Sequence, residues 1–335
     1  MERRISWIDY MKGIAIFLVV LSHSEGLPKL VEYFFRPFFL TSFFLASGYL
    51  FHNPSKPFDV GKKSIRIIEG ILIPYLIYWI ISFFINKLIN GDSFNIIIQE
   101  LMQSLLKGQK LWFISCLLCS EIIMCANLFI SKNPIYILIS GIAAFLIWTF
   151  TSLSQPGELI WCVNIAFLAY LYMSLGYSFR NYEKLISQYI INNKIGITLL
   201  FIYLVLICID YLHFNYTVIF ALNHFSNIGF FILCSLIGLA TLYYLYNKFK
   251  TNKIITFLSL NSLLIYFFHN QMLNILKYIS KLSIFNILPD YGRSLFQAIG
   301  TILLVYIPII ITNKYIPILS GKSKWLSNIL YKHEK

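Results

Sequence analysis

The stretch Lys12-Gly-Ile-Ala-Ile-Phe-Leu-Val-Val-Leu-Ser-His23 places ten mostly apolar residues between a cation and an imidazole. A run of this kind has the period and composition of a membrane-spanning helix. Eleven steps along an α-helix make about three turns and about 16 Å of rise, so Lys12 and His23 lie on one face at two depths. Ionisable groups inside a membrane helix mark functional sites by default. The competing reading is that Lys12 marks the cytoplasmic edge of the helix and His23 its far end at the lipid headgroups.

The same pattern recurs along the chain. Apolar spans are expected near 8–24, 34–51, 67–87, 111–130, 134–153, 160–178, 195–213, 226–246, 255–276 and 296–316. Across 335 residues, 58% are hydrophobic and 12% are charged, half the charged share of an ordinary soluble domain. The expected fold is therefore all-α, a polytopic membrane bundle of about ten transmembrane helices, forming a single integral-membrane domain over 1–335. A net charge of +13 would indicate nucleic acid in a soluble protein. Here the distribution of the cations decides, and nucleic acid is not an expected partner. Ten spans put both termini on one side, and that side receives nineteen Lys and Arg against eight on the other. The bias makes both termini cytoplasmic.

Six cysteines, Cys116, Cys119, Cys125, Cys162, Cys208 and Cys234, all fall in spans and describe no disulfide framework. Cys116 and Cys119 form a C-x-x-C pair without a second pair, so a packing role is expected. No metal site is expected. A secretory leader would also begin basic and continue apolar, but Asp9 and Lys12 suit a site better.

Chemistry-bearing residues cluster in four places. Asp9 and Lys12 are three apart, close enough to pair on a helix. Ser47-Gly48 sits among bulky aromatics, a surface for close helix packing. Lys62-Lys63-Ser64-Ile65-Arg66 leads into Glu69 and Pro74. Such a cation cluster binds phosphates or headgroups, or merely reflects the positive-inside bias, while Pro74 is expected to kink its span. Finally, Leu111-Trp112-Phe113 precedes Glu121 on the fourth span, and Ser262-Leu-Leu-Ile-Tyr-Phe-Phe-His269 lies on the ninth. Glu121 near mid-membrane must be protonated, paired or facing water. A lone buried His269 also fits a purely structural, hydrogen-bonded role. The segment 92–110 has the spacing of an amphipathic surface helix, and 214–227 reads as a polar, aromatic loop.

Lys12-x10-His23, Phe43-Phe-Leu-Ala-Ser-Gly-Tyr-Leu50, Lys63-x-x-Arg66 before Pro74-Tyr75, Leu111-Trp-Phe113 and the segment ending in His269 occur in the order and placement of the membrane-bound acyltransferase-3 family. The chain resembles that family over nearly its whole length, and most resembles the branch that acetylates sugars and polysaccharides. The resemblance implies an O-acyltransferase that takes an acetyl group from cytoplasmic acetyl-CoA, or another acyl-CoA, to a hydroxyl of a carbohydrate or lipid-linked glycan. It implies a multi-pass protein of the plasma (inner) membrane, in contact with its lipids. It makes His23 the catalytic residue, as general base or acyl carrier, with Glu121 or Asp9 orienting it or relaying a proton. Lys12, Lys63 and Arg66 would hold the coenzyme phosphates, and His269 and Trp112 the acceptor. The family commonly carries arginine at the positions of Lys12 and Lys63, so charge is kept here but the planar fork is lost. Two other readings remain: a transporter or flippase for a lipid-linked sugar, and transfer of succinyl to an exported polysaccharide.

Overall fold

The computed structural model describes residues 4–54, 56–90, 98, 100, 108, 111–154, 159–214, 218–282 and 287–330. The expected amphipathic segment at 92–110 lies almost wholly outside them. The helices are α1 Ser6–Ser22, α2 Lys29–Phe35, α3 Phe39–Phe51, α4 Val60–Ile67, α5 Ile73–Asn90, α6 Trp112–Ile130, α7 Pro134–Ser154 and α8 Val163–Ile191. They continue with α9 Asn193–Ile209, α10 Ile228–Phe249, α11 Lys253–Leu260, α12 Ser262–Ile279, α13 Asp290–Tyr315 and α14 Trp325–Leu330. The protein is a polytopic helical bundle. Between α9 and α10, the expected loop contains a small two-stranded ribbon, β1 Val218–Ile219 with β2 His224–Phe225.

Among the described residues, eight helical stretches are long and apolar enough to cross a membrane, from Lys29–Phe51 to Asp290–Tyr315. The expected first span is α1, whose 17 residues sit at the lower limit of spanning length. The expected ninth span is broken at Asn261, which leaves helical geometry at φ −115° and ψ 16°. Its side chain donates to the Phe257 carbonyl at 2.9 Å, which ends α11 and lets α12 begin at Ser262.

The chain groups into two compact units. The first comprises 1–46, 182–218 and 225–311; the second comprises 47–181, 219–224 and 312–335. Each is assembled from separated segments.

In the first unit, α1 is a core helix with Trp7, Ile8, Met11, Ala15, Ile16, Val19 and Val20 all buried. It lies against α11 so closely that a methyl group at Gly13 would fall 2.3 Å from the Ile255 carbonyl oxygen. Trp7 donates from its indole to Glu183 at 3.1 Å and meets the Tyr243 ring edge-on.

In the second unit, Gly48 of α3 allows the backbone of α8 to approach, since a Cβ there would lie 1.9 Å from the Met173 carbonyl oxygen. The expected packing role for Ser47-Gly48 therefore holds for the glycine. Arg180 of α8 donates to the Tyr49 carbonyl at 2.8 Å. Pro74 follows a π-helical turn over Ile68–Leu72, which takes up the irregularity that a proline lacking an N–H imposes on an α-helix. Glu69 in that turn accepts from the Ser327 backbone N–H at 2.9 Å and from its hydroxyl, tying down the start of α14. At the ribbon's turn Asn223 adopts left-handed geometry, φ 51°, and is held by Trp148 and Ser152.

Candidate active site

Four of the residues singled out in the sequence belong to the first unit: Asp9, Lys12, His23 and His269. Asp9 lies in the first turn of α1, where a carboxylate complements the helix dipole. It pairs with Arg4 and accepts from the buried Ser259 hydroxyl at 2.8 Å. The expected Asp9–Lys12 ion pair is not formed, because Arg4 and Ser259 occupy the two carboxylate oxygens. Lys12 stays near Asp9, half-buried, with no hydrogen-bond or ion-pair partner among the described residues. Fourteen helical residues, about 21 Å, separate Asp9 from His23, so Asp9 does not touch that ring.

His23 caps the C-terminus of α1, and its N–H bonds back to Val20. On either side, the hydroxyls of Ser22 and Ser24 donate to the carbonyls of Val19 and Leu21, at 2.8 and 2.6 Å. These bonds satisfy acceptors that a helix end leaves open, and they fix the backbone that carries the imidazole. The turn closes at Gly26, whose φ of +79° is one that only glycine adopts without strain. His23 is exposed, and its ring nitrogens have no partner among the described residues.

The His23 ring lies 5.3 Å, centroid to centroid, from that of His269 on α12. His269 is 2% exposed. Its Nδ1 is 2.8 Å from the Tyr266 carbonyl oxygen. A carbonyl can only accept, so Nδ1 carries the hydrogen. Nε2 is buried without a hydrogen-bond partner. The charge of Lys277, in the last turn of α12, is felt at His23. The site in this unit is therefore an accessible imidazole, free on both nitrogens, backed by a buried one whose orientation the backbone sets.

The other singled-out residues belong to the second unit. Glu121, 7% exposed on α6, accepts a 2.6 Å hydrogen bond from Ser47. Ser47 thus holds the carboxylate as well as flanking the packing glycine, and Lys63 lies in the field of the same carboxylate. Lys63 Nζ sits 3.5 Å above the centre of the Phe51 ring, a cation–π contact, and makes no ion pair among the described residues. Arg66, one turn on, is exposed and has no partner among them. Trp112 begins α6 and stacks on Phe220 at 6.3 Å.

The cysteines make no disulfide. Cys116, Cys125, Cys162 and Cys234 are buried, Cys119 is half-buried and Cys208 is exposed.

A family profile described as an acyltransferase domain matches residues 5–313, nearly the whole chain. The chain belongs to the acyltransferase-3 family. No curated protein and no solved structure matches it. Membership makes the protein a membrane acyltransferase, and the His23 imidazole stands inside the matched region.

Sequence reasoning did not single out Ser259 or Gln297. Ser259 anchors Asp9, while Gln297 accepts from the Glu25 N–H and donates to Ser280, both at 2.8 Å. An amide at the start of the apolar run of α13 was the available signal for Gln297, since buried polar groups in a membrane helix need named partners.

Proposed function

We propose that this acyltransferase moves an acetyl or similarly small acyl group from acyl-CoA to a hydroxyl of a cell-surface or exported carbohydrate, with His23 as the catalytic group. The reading is carried by the His23 imidazole. It is exposed at the end of α1, has no partner on either nitrogen among the described residues, and lies 5.3 Å from a buried second ring. As general base, His23 takes the proton of the acceptor hydroxyl as the oxygen attacks the thioester carbonyl. The C–S bond then breaks, and the proton passes to the departing thiolate. As nucleophile, the imidazole would instead carry the acyl group between donor and acceptor.

The donor's phosphates are assigned to cations that lack an ion-pair partner among the described residues, each taken by itself: Lys12 in the first unit, and Lys63 and Arg66 in the second. Charge-assisted contacts of this kind are the strongest hydrogen bonds available to phosphate. The distribution of Lys and Arg supports cytoplasmic termini and a cytoplasmic donor, and the protein is assigned to the plasma membrane as part of the same reading.

The test is acyl transfer by the purified protein from labelled acetyl-CoA and succinyl-CoA to a panel of glycans. His23→Ala is expected to lower transfer about 10²–10⁴-fold, the usual contribution of a general acid–base group, while the variant still inserts and elutes as wild type does. Retention of transfer by His23→Ala would overturn the assignment. Trapping labelled protein in the absence of acceptor would select the acyl-histidine route.

A further inference from the structure

Beyond His23 the chain does not run directly into α2. Residues 24–26 turn under the start of α13, and Gly26 is so close there that a Cβ would lie 2.8 Å from the Asp290 carbonyl oxygen. The turn leaves a recess of about 70 Å³ lined by Glu25, Ser280, Lys281, Asp290, Arg293 and Gln297 with Gly26. All are in the first unit.

Its floor is built. Gln297 is 1% exposed and Ser280 is 4% exposed. Gln297 links the Glu25 N–H to the Ser280 hydroxyl, and Ser280 in turn donates to the Lys277 carbonyl at 2.9 Å. The rim is charged and balanced. Arg293 pairs with Asp290 at 3.1 Å and also reaches the Leu288 carbonyl. The Glu25 carboxylate and the Lys281 ammonium have no side-chain partner among the described residues.

Two carboxylates and two cations cancel, so the recess does not select a net charge. A phosphate or carboxylate entering it would meet Glu25 and Asp290. A lipid tail would have to desolvate four charged groups. What suits alternating acceptors and donors is a set of neighbouring hydroxyls, each of which both donates and accepts. About 70 Å³ is less than half the volume of a cavity that takes a benzene ring, about 150 Å³. The recess therefore takes one edge of a sugar ring and leaves the remainder outside. Two residues of extended chain span at most about 7 Å, so the Glu25 backbone that borders the recess lies within that distance of the His23 backbone.

We infer that this recess is an acceptor subsite, binding two adjacent hydroxyls of an uncharged pyranoside so that a third hydroxyl of the same ring is presented to His23. The inference rests on the acyl-transfer reading for its role, but not for its binding chemistry.

The experiment uses the full chain in detergent or nanodiscs. Its probes are methyl glycosides of neutral hexoses, a 6-deoxyhexose and an N-acetylhexosamine, with methyl glucuronide as the anionic control. Acetyl-CoA is present in the kinetic arm and absent in a binding arm. Glu25→Gln, Asp290→Asn and Lys281→Met are each expected to raise KM for the preferred glycoside at least tenfold, with KM for acetyl-CoA within twofold of wild type. Affinity for the glycoside without donor should fall by a similar factor. Unchanged glycoside KM and affinity in all three variants would overturn the subsite while leaving acyl transfer standing. Tighter binding of the glucuronide than of the neutral glycosides would overturn its uncharged specificity. Loss of glycoside affinity in the variants, with no transfer by wild type, would keep the subsite and sink the acyl-transfer reading.

Discussion

Replacing His269 by leucine should separate stability from activity. The ring is 2% exposed, and its Nε2 has no hydrogen-bond partner. Leucine is of similar size and fills the space without polar atoms. The substitution gives up the Nδ1 bond to Tyr266, worth about 1 kcal/mol. It also removes an unsatisfied buried acceptor, which costs about 1–3 kcal/mol. Loss of the contact with the His23 ring takes back about 0.5–1.5 kcal/mol, so the net change lies within about 1.5 kcal/mol of zero. At about 2 °C per kcal/mol for a chain of this size, the midpoint of thermal unfolding in detergent should stay within about 3 °C of wild type.

Activity should fall nonetheless, because the ring 5.3 Å away is what faces His23. An aromatic pair contributes about 0.5–1.5 kcal/mol to holding its partner. Where that hold positions His23 for the transition state, its loss is about a 2–12-fold fall in kcat. KM for acetyl-CoA should stay near wild type, a split that general loosening of the fold would not produce. Intrinsic fluorescence on heating and steady-state transfer measure the two quantities on one preparation. A midpoint lowered by more than about 4 °C with a matching loss of active protein would make His269 a structural residue. Full activity would remove it from the site altogether.

Lys12→Met should raise KM for acetyl-CoA by about 10–100-fold, the worth of one charge-assisted hydrogen bond to phosphate, whereas Lys12→Arg should remain close to wild type; equal KM values for both would detach Lys12 from the donor. Stability should also depend on His52, which lies between α3 and α4 and is 8% exposed. Burial, with Lys132, Arg180 and Lys63 nearby, holds its pKa below the ordinary histidine value. A folded pKa below the unfolded one means that this stability is fully present above about pH 6.5 and is lost as pH falls toward the folded value. His52→Gln should flatten the fall in unfolding midpoint between pH 7.5 and 5; an unchanged slope would show that other groups govern it.

Most of the fold was legible because membrane helices announce themselves by long apolar runs. Eight such runs carry through directly, and α1 appears at 17 residues. The broken ninth span was not legible. An asparagine in an apolar run can lie within a helix or end it, and only the bond from Asn261 to Phe257 decides which. Within the site, Lys12-x10-His23 was readable by period alone, since Lys12 lies on α1 and His23 caps its end, at a rise that helix geometry sets.

What the sequence determined alone was therefore local: helical spans, the spacing of a cation and an imidazole, and the motif order that places the chain in its family. Tertiary structure decided the partners. Asp9 looked nearest to Lys12 along the helix, yet Arg4 and Ser259 hold it. His23 meets His269 across 246 positions of chain, and Glu25 and Gln297 join across a comparable distance. Helical periodicity fixes which side chains share a face, but not which face of another helix they meet. That choice belongs to packing, where close approaches such as that of Gly13 to Ile255 set the register between helices.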